Sequence, residues 1–282
     1  MKPISKYFLP LLLFTFLNGC KDHELGEDNM TKQNGLAISA EQAGFYSNPT
    51  ASKGTMDMSY NKNTKKLEYT ITYENLPSPL YNANIRIAPR GQSGPIFHSF
   101  TGQALVDLSK SGTTTGYLDI PAEREEELLN GLFYVYLNTE PNFRIAIRGQ
   151  IEFYNLDRNV VKRGIVLTSQ QEVPSLNTGA KGSADVLYNK NTKLLSYFIS
   201  WENLAELPTG AHIHGVADRG MNAIVQHSFI DLIPKDRSGS FSNSVVVDGV
   251  KIKEAELLNG KYYFNIHNSI YPTGEIRGQI EF

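Results

Sequence analysis

The sequence predicts an all-β protein made of two tandem antiparallel domains of Greek-key-like sandwich or barrel type, each with one short helix. Three observations carry that expectation. The chain repeats itself once over most of its length, apolar and polar residues alternate with a period of two, and turns rich in Asn and Gly punctuate the alternation. At 282 residues the chain can build two cores of ordinary size.

Residues 1–19 open with Lys2 and Lys6, continue through an apolar run over 7–17 and end at Asn18-Gly19, just before Cys20. That run is about half the ~20 residues a membrane-spanning helix needs, so it reads as an export signal. Leu17-Asn18-Gly19-Cys20 resembles a bacterial lipoprotein cleavage box, which implies that Cys20, the only cysteine, becomes the lipidated first residue. The acids Asp22, Glu24, Glu27 and Asp28 resemble the tag that sends such lipoproteins to the outer face of the outer membrane. The implied location is therefore the bacterial cell surface, with the membrane as a partner through the lipid. Residues 20–35 read as a solvated tether. The remaining chain has no cysteine, so disulfides contribute nothing. The net charge of −2, with no dense Lys/Arg run, excludes nucleic acid as an expected partner.

The repeat defines the domains. Tyr60-Asn61-Lys62-Asn63-Thr64-Lys65 returns at Tyr188, a shift of 128 (188 − 60), and Arg148-Gly149-Gln150-Ile151-Glu152-Phe153 returns at Arg277, a shift of 129 (277 − 148). One inserted residue between Arg86 and Arg90 reconciles them. The expected units are residues 36–154 and 164–282, joined by a polar link over 155–163. Leu67, Tyr69, Ile71 and Tyr73 alternate with Glu68, Thr70, Thr72 and Glu74, and Leu195, Tyr197, Ile199 and Trp201 repeat the pattern. Each strand follows an Asn/Lys/Thr turn, where asparagine tolerates left-handed backbone and bonds nearby amides. A short helix is expected before Gly131 and before Gly260, since Pro121 suits a first turn and glycine suits the stop.

The candidate chemical site is His212, His214, His267 and Glu275 in the second copy. Residues i and i+2 on a strand share a face ~6.5–7 Å apart, so two imidazoles can converge on one ion at about 2.0–2.1 Å each. His267 would add a third nitrogen, and Glu275 an oxygen or a partner for a histidine ring. The alternation places Ile276, Ile280 and Phe282 inward, and so sends all four candidates to the outer face. Imidazole suits zinc and copper alike, and occupancy is expected to fall as pH drops through about 6 to 6.5. The matching positions of the first copy hold Asn84, Arg86, Asn138 and Ala146, and a cation such as Arg86 would repel a divalent ion, so no metal is expected at this place there. His98 and His227 recur within His-Ser-Phe in both copies and point to packing; Arg148 and Arg277 are expected to pair with acids. Tyr262, Tyr263 and Tyr271 are either core or a recognition patch.

Gln170-Gln171-Glu172-Val173-Pro174, Ala211-His212-Ile213-His214-Gly215, Leu257-Leu258-Asn259-Gly260 and Gly274-Glu275-Ile276-Arg277-Gly278-Gln279 together resemble the CHRD domain, first described in chordin. The first copy resembles a divergent CHRD domain, keeping Leu128-Leu129-Asn130-Gly131 and Arg148-Gly149-Gln150 without the histidines. The resemblance implies an extracellular β-domain and supplies no catalytic residues. The expected function is thus a lipid-anchored extracellular binding protein for a protein or glycan, with one zinc or copper ion in the second domain. The His-x-His strand also resembles part of the copper-zinc superoxide dismutase pattern, although that family uses two metals, more histidines and a disulfide. A dismutase-like oxidoreductase and a purely structural adhesion module are the alternatives.

Overall fold

The computed structural model describes residues 29–43, 51–100, 109–139 and 146–282. The expected signal segment at 1–19, Cys20 and the tether as far as residue 28 lie outside them. The first domain contains β1 (Met30–Ser39), β2 (Lys53–Asn61), β3 (Lys66–Glu74), β4 (Asn82–Ile87), β5 (Ile96–Ser99), β6 (Gly112–Asp119), α1 (Glu125–Leu129), β7 (Phe133–Asn138) and β8 (Ala146–Gln150). The second contains β9 (Asn159–Thr168), β10 (Lys181–Asn189), β11 (Leu194–Glu202), β12 (Pro208–Gly215), β13 (Val225–Ser228), β14 (Gly239–Val246), α2 (Glu254–Leu258), β15 (Tyr262–Asn268) and β16 (Ile276–Ile280).

Each domain is one eight-stranded antiparallel sheet, in the order β5-β4-β7-β8-β1-β2-β3-β6 and β13-β12-β15-β16-β9-β10-β11-β14. The two orders coincide strand for strand, which gives the sequence repeat its structural meaning. After β3 the chain crosses to the far side to build β4 and β5, then returns to lay β6 beside β3; this crossing is the Greek-key element. The period-two residues face inward as expected. Leu67, Tyr69, Ile71 and Tyr73 are buried in one core, and Leu195, Tyr197, Ile199 and Trp201 in the other.

Local chemistry explains the turns and helices. Asn61 Oδ1 accepts from the backbone N–H of Asn63 and Thr64, and Asn189 Oδ1 does the same for Asn191 and Thr192. The left-handed residue is not the asparagine but the lysine closing the turn, Lys65 at φ 58 and Lys193 at φ 57. The expected helices form as α1 and α2, each followed by a left-handed glycine, Gly131 and Gly260.

Two expected boundaries are corrected. The tether ends sooner than residue 35, because Met30–Gln33 already pairs with β2. The link likewise shrinks, because β9 starts at Asn159 and pairs with the end of β10. Polar residues mislead here for a reason: β9 pairs with β16 only at Arg277↔Thr168. Its first half makes no strand pairing with β16, and Lys162 and Arg163 are exposed while Val160 packs on the core.

Candidate metal centre

In β12, β15 and β16 the register builds one face. Gly210 lies opposite His267, His212 opposite Asn265 and His214 opposite Tyr263, while Asn265 and Tyr263 lie in turn opposite Arg277 and Gln279. Ala211, Ile213, Phe264 and Ile266 occupy the other face and are fully buried in the core. The sequence reading of the faces is right for the histidines, but the face they occupy is not open surface. Tyr263, Asn265, Arg277 and Gln279 are at most 3% exposed. The chain after β12 folds over them, where the Asp218 and Ala217 carbonyls accept from Arg277 and Gln279. His214 is buried, and His212 and His267 are half-buried.

The three histidines converge. His212 Nδ1 and His267 Nε2 are 3.1 Å apart, and one nitrogen from each of the three rings lies within 4.8 Å of the others. Two nitrogens at about 2.0–2.1 Å from one ion stand ~3.0–3.4 Å apart, so the His212–His267 pair already has a chelating separation. Two rings are oriented by backbone carbonyls. His267 Nδ1 lies 2.9 Å from Pro272 O and His214 Nδ1 2.9 Å from Ala223 O. A carbonyl accepts only, so each Nδ1 carries the proton and each Nε2 keeps its lone pair for an ion. His214 Nε2 is buried without a hydrogen-bond partner among the described residues.

Electrostatics keeps the rings neutral. Burial lowers the pKa of His212 to about 4, with His267 and His214 adding to the effect. Burial likewise lowers His214 and His267, against the raising influence of their carbonyl partners. Proton competition for the site is therefore expected below the pH 6 to 6.5 window read from the sequence. Gly210 makes the convergence possible, because a Cβ there would stand 3.0 Å from the His212 ring and 3.1 Å from the His267 ring.

Glu275 is not part of the trio. It is completely buried, and its carboxylate accepts from the Ala205 N–H at 2.9 Å and from the Asn268 side-chain amide. The oxygen expected for a metal instead ties the β11–β12 connection to the end of β15. Among the described residues Arg148 and Arg277 form no close ion pair of the kind expected, although Glu152 and Glu172 act on them electrostatically. Arg148 donates to the carbonyls of Gln92 and Pro89 and lies 3.6 Å over Tyr134; Arg277 donates to Asp218 O and Gln279 and lies 3.5 Å over Tyr263. Their neighbours take the acids, as Arg90–Glu152 and Arg219–Glu281.

His98 and His227 pack as expected, against Phe100 and Phe229. Tyr262 is core, with its hydroxyl donating to Lys251 O. Tyr263 carries a role that sequence alone missed: its ring stacks on His214 at 5.0 Å, and its hydroxyl accepts from the N–H of Ala223, whose carbonyl holds His214. In the first domain Tyr134 accepts from Gly94 N–H in the same way. The scaffold under the site thus exists in both copies. Where the histidines would stand, Asn84 bonds Asn82 and Ser99, and Arg86 lies over Tyr136.

A family model described as the CHRD domain matches the chain twice, over residues 37–151 and 164–280. No curated protein and no solved structure matches.

Proposed function

Starting from the fact that this chain belongs to the CHRD domain family, with two copies in tandem, we propose that it is a lipid-anchored extracellular binding protein whose second domain holds one zinc or copper ion on His212, His214 and His267. The observation that carries the metal reading is the convergence of three imidazole nitrogens on one face, two of the rings being held with the proton on Nδ1 so that Nε2 carries the lone pair. The residues fit a late first-row ion in donor type and number, and the first domain, with Asn84, Arg86 and Asn138 at these positions, supports the reading by contrast. Three nitrogens leave a fourth position for a ligand, which is where a binding role and the metal meet.

Elemental analysis of the full chain tests this. About one zinc or copper per chain is expected for the wild type and none for His212→Ala combined with His214→Ala; equal metal in both sinks the assignment. Gly210→Ala is expected to weaken metal binding roughly tenfold or more while the fold persists, because the added methyl pushes on both rings. Isothermal titration reads that change, and an unaltered affinity would show that the ring positions are not limiting.

The anchor rests on the sequence around Cys20. Metabolic labelling with a radioactive fatty acid in a bacterial host is expected to mark the wild type and not Cys20→Ala, with the variant moving from the membrane fraction to the soluble one. Label retained in the variant would remove Cys20 as the lipid site.

A further inference from the structure

Beside the histidine trio the second domain buries a polar pair that the first domain lacks. Glu172 and Asn265 are 5% and 2% exposed, and Asn265 Nδ2 donates to Glu172 Oε1 at 2.8 Å. Gly274, at φ +131, closes over them: a Cβ there would stand 2.2 Å from Asn265 Nδ2 and 2.6 Å from Glu172 Oε1. The equivalents in the first domain follow from structure. Gln42 and Gln171 play the same part, each donating to a β-strand carbonyl and accepting from Arg90 or Arg219, so Ala43 corresponds to Glu172. Tyr136, opposite Asn84, corresponds to Asn265, opposite His212. Ala43 and Tyr136 form an apolar cluster with Ala88 and Tyr134. The exchange of that cluster for an acid and an amide accompanies the appearance of the three histidines.

Burying such a pair costs free energy unless its polar atoms are satisfied, and Asn265 Oδ1 has no partner among the described residues. Asn265 sits directly opposite His212 and two residues before His267 on their shared face. Glu172 enters from the segment after β9, which packs on β16, the strand on the other side of β15 from β12. With Nδ2 engaged by Glu172, Oδ1 is the amide atom left to serve the face that Asn265 shares with the trio.

We infer that Asn265 completes the site by accepting, through Oδ1, a hydrogen bond from a protic fourth ligand on the ion, either water or a hydroxyl-bearing molecule, and that Glu172 is the positioning residue that turns the amide. The inference rests on the metal reading above. A ligand carrying O–H finds an acceptor there; a small aprotic anion such as azide meets a lone pair instead. Burial pushes the Glu172 carboxyl up to about 8, so near neutral pH it holds Asn265 without placing a negative charge beside the ligand.

The test uses the full chain loaded with Co2+, whose visible absorption reports both uptake and azide binding. Wild type, Asn265→Leu, Glu172→Ala and Glu172→Gln are each expected to take up about one Co2+, since the three imidazoles are intact. Azide is expected to bind about tenfold more tightly to Asn265→Leu and to Glu172→Ala than to wild type. Glu172→Gln, whose amide oxygen still accepts from Asn265 Nδ2, is expected to stay within about twofold of wild type. Co2+ uptake with an unchanged azide affinity in Asn265→Leu overturns the inference while leaving the metal site standing. If Asn265→Leu does not fold, equal azide affinities in Glu172→Ala and Glu172→Gln overturn it. No Co2+ uptake by the wild type overturns the metal reading and this inference with it.

Discussion

Replacing Arg277 by alanine is expected to destabilise the second domain by about 3–5 kcal/mol, read as a lower urea midpoint with an unchanged slope. The side chain is 1% exposed, spans the outer face of β16, covers Tyr263 at 3.5 Å and donates to Gln279 Oε1 and Asp218 O. Alanine leaves a void over the tyrosine and takes the donor from the buried Gln279 Oε1 and the part-buried Asp218 O, and a buried orphan costs about 1–3 kcal/mol. The loss propagates to the candidate centre, because Tyr263 stacks on His214 and holds the N–H of Ala223. Burial of the guanidinium is itself unfavourable and lowers its pKa. Arg277→Met, which fills much of the volume without a charge, is therefore expected to cost less than Arg277→Ala. Arg148→Ala is expected to affect the first domain in the same way, since Arg148 caps Tyr134 at 3.6 Å. A loss below about 1 kcal/mol in Arg277→Ala would show that the loops hold this face without the cation.

The second large effect is on the pH dependence of stability in the metal-free protein. His212, His214 and His267 all have pKa values lowered on folding, that of His212 to about 4 from an ordinary 6.5, chiefly by burial. Between these values the unfolded chain binds more protons than the folded one. The stability contributed by the neutral rings is therefore present above pH 6.5 and is lost as pH falls toward about 4. Glu172 acts in the opposite sense. Its pKa is raised from 4.5 to about 8, so its contribution is present below 4.5 and is lost as pH rises through about 8. Glu172→Gln removes that second limb, and the variant is expected to gain on wild type progressively between pH 5 and 8. Urea unfolding across this range measures both limbs. A wild type equally stable at pH 4.5 and 7, with a variant that runs parallel to it, would contradict the assigned shifts.

Much of the fold is legible in the residues because burial on a strand acts on every second position. Leu67 to Tyr73 and Leu195 to Trp201 announce their inward faces, and the return of Tyr60 to Lys65 at Tyr188 and of Arg148 to Phe153 at Arg277 announces a second copy of the same sheet. The His212–His214 spacing is legible for the same reason, since the pleat puts i and i+2 side by side.

What the residues alone left open are relations between segments distant in sequence. His267 joins the histidine pair because β15 lies beside β12 in a register set by the whole sheet. Glu275 leaves the group because the β11–β12 connection offers the Ala205 N–H to its carboxylate. Period-two patterning separates two faces but does not say what covers the second, and here returning loops cover it, burying Arg277 and Gln279 and bringing Glu172 onto Asn265. The sequence by itself therefore determined the repeat, the strands, their inward faces and the histidine pair, all products of local periodicity. The tertiary structure decided the third histidine, the exclusion of Glu275, the tautomers held by Ala223 and Pro272, and the buried pair beside the trio, because each depends on where a distant carbonyl or amide comes to rest.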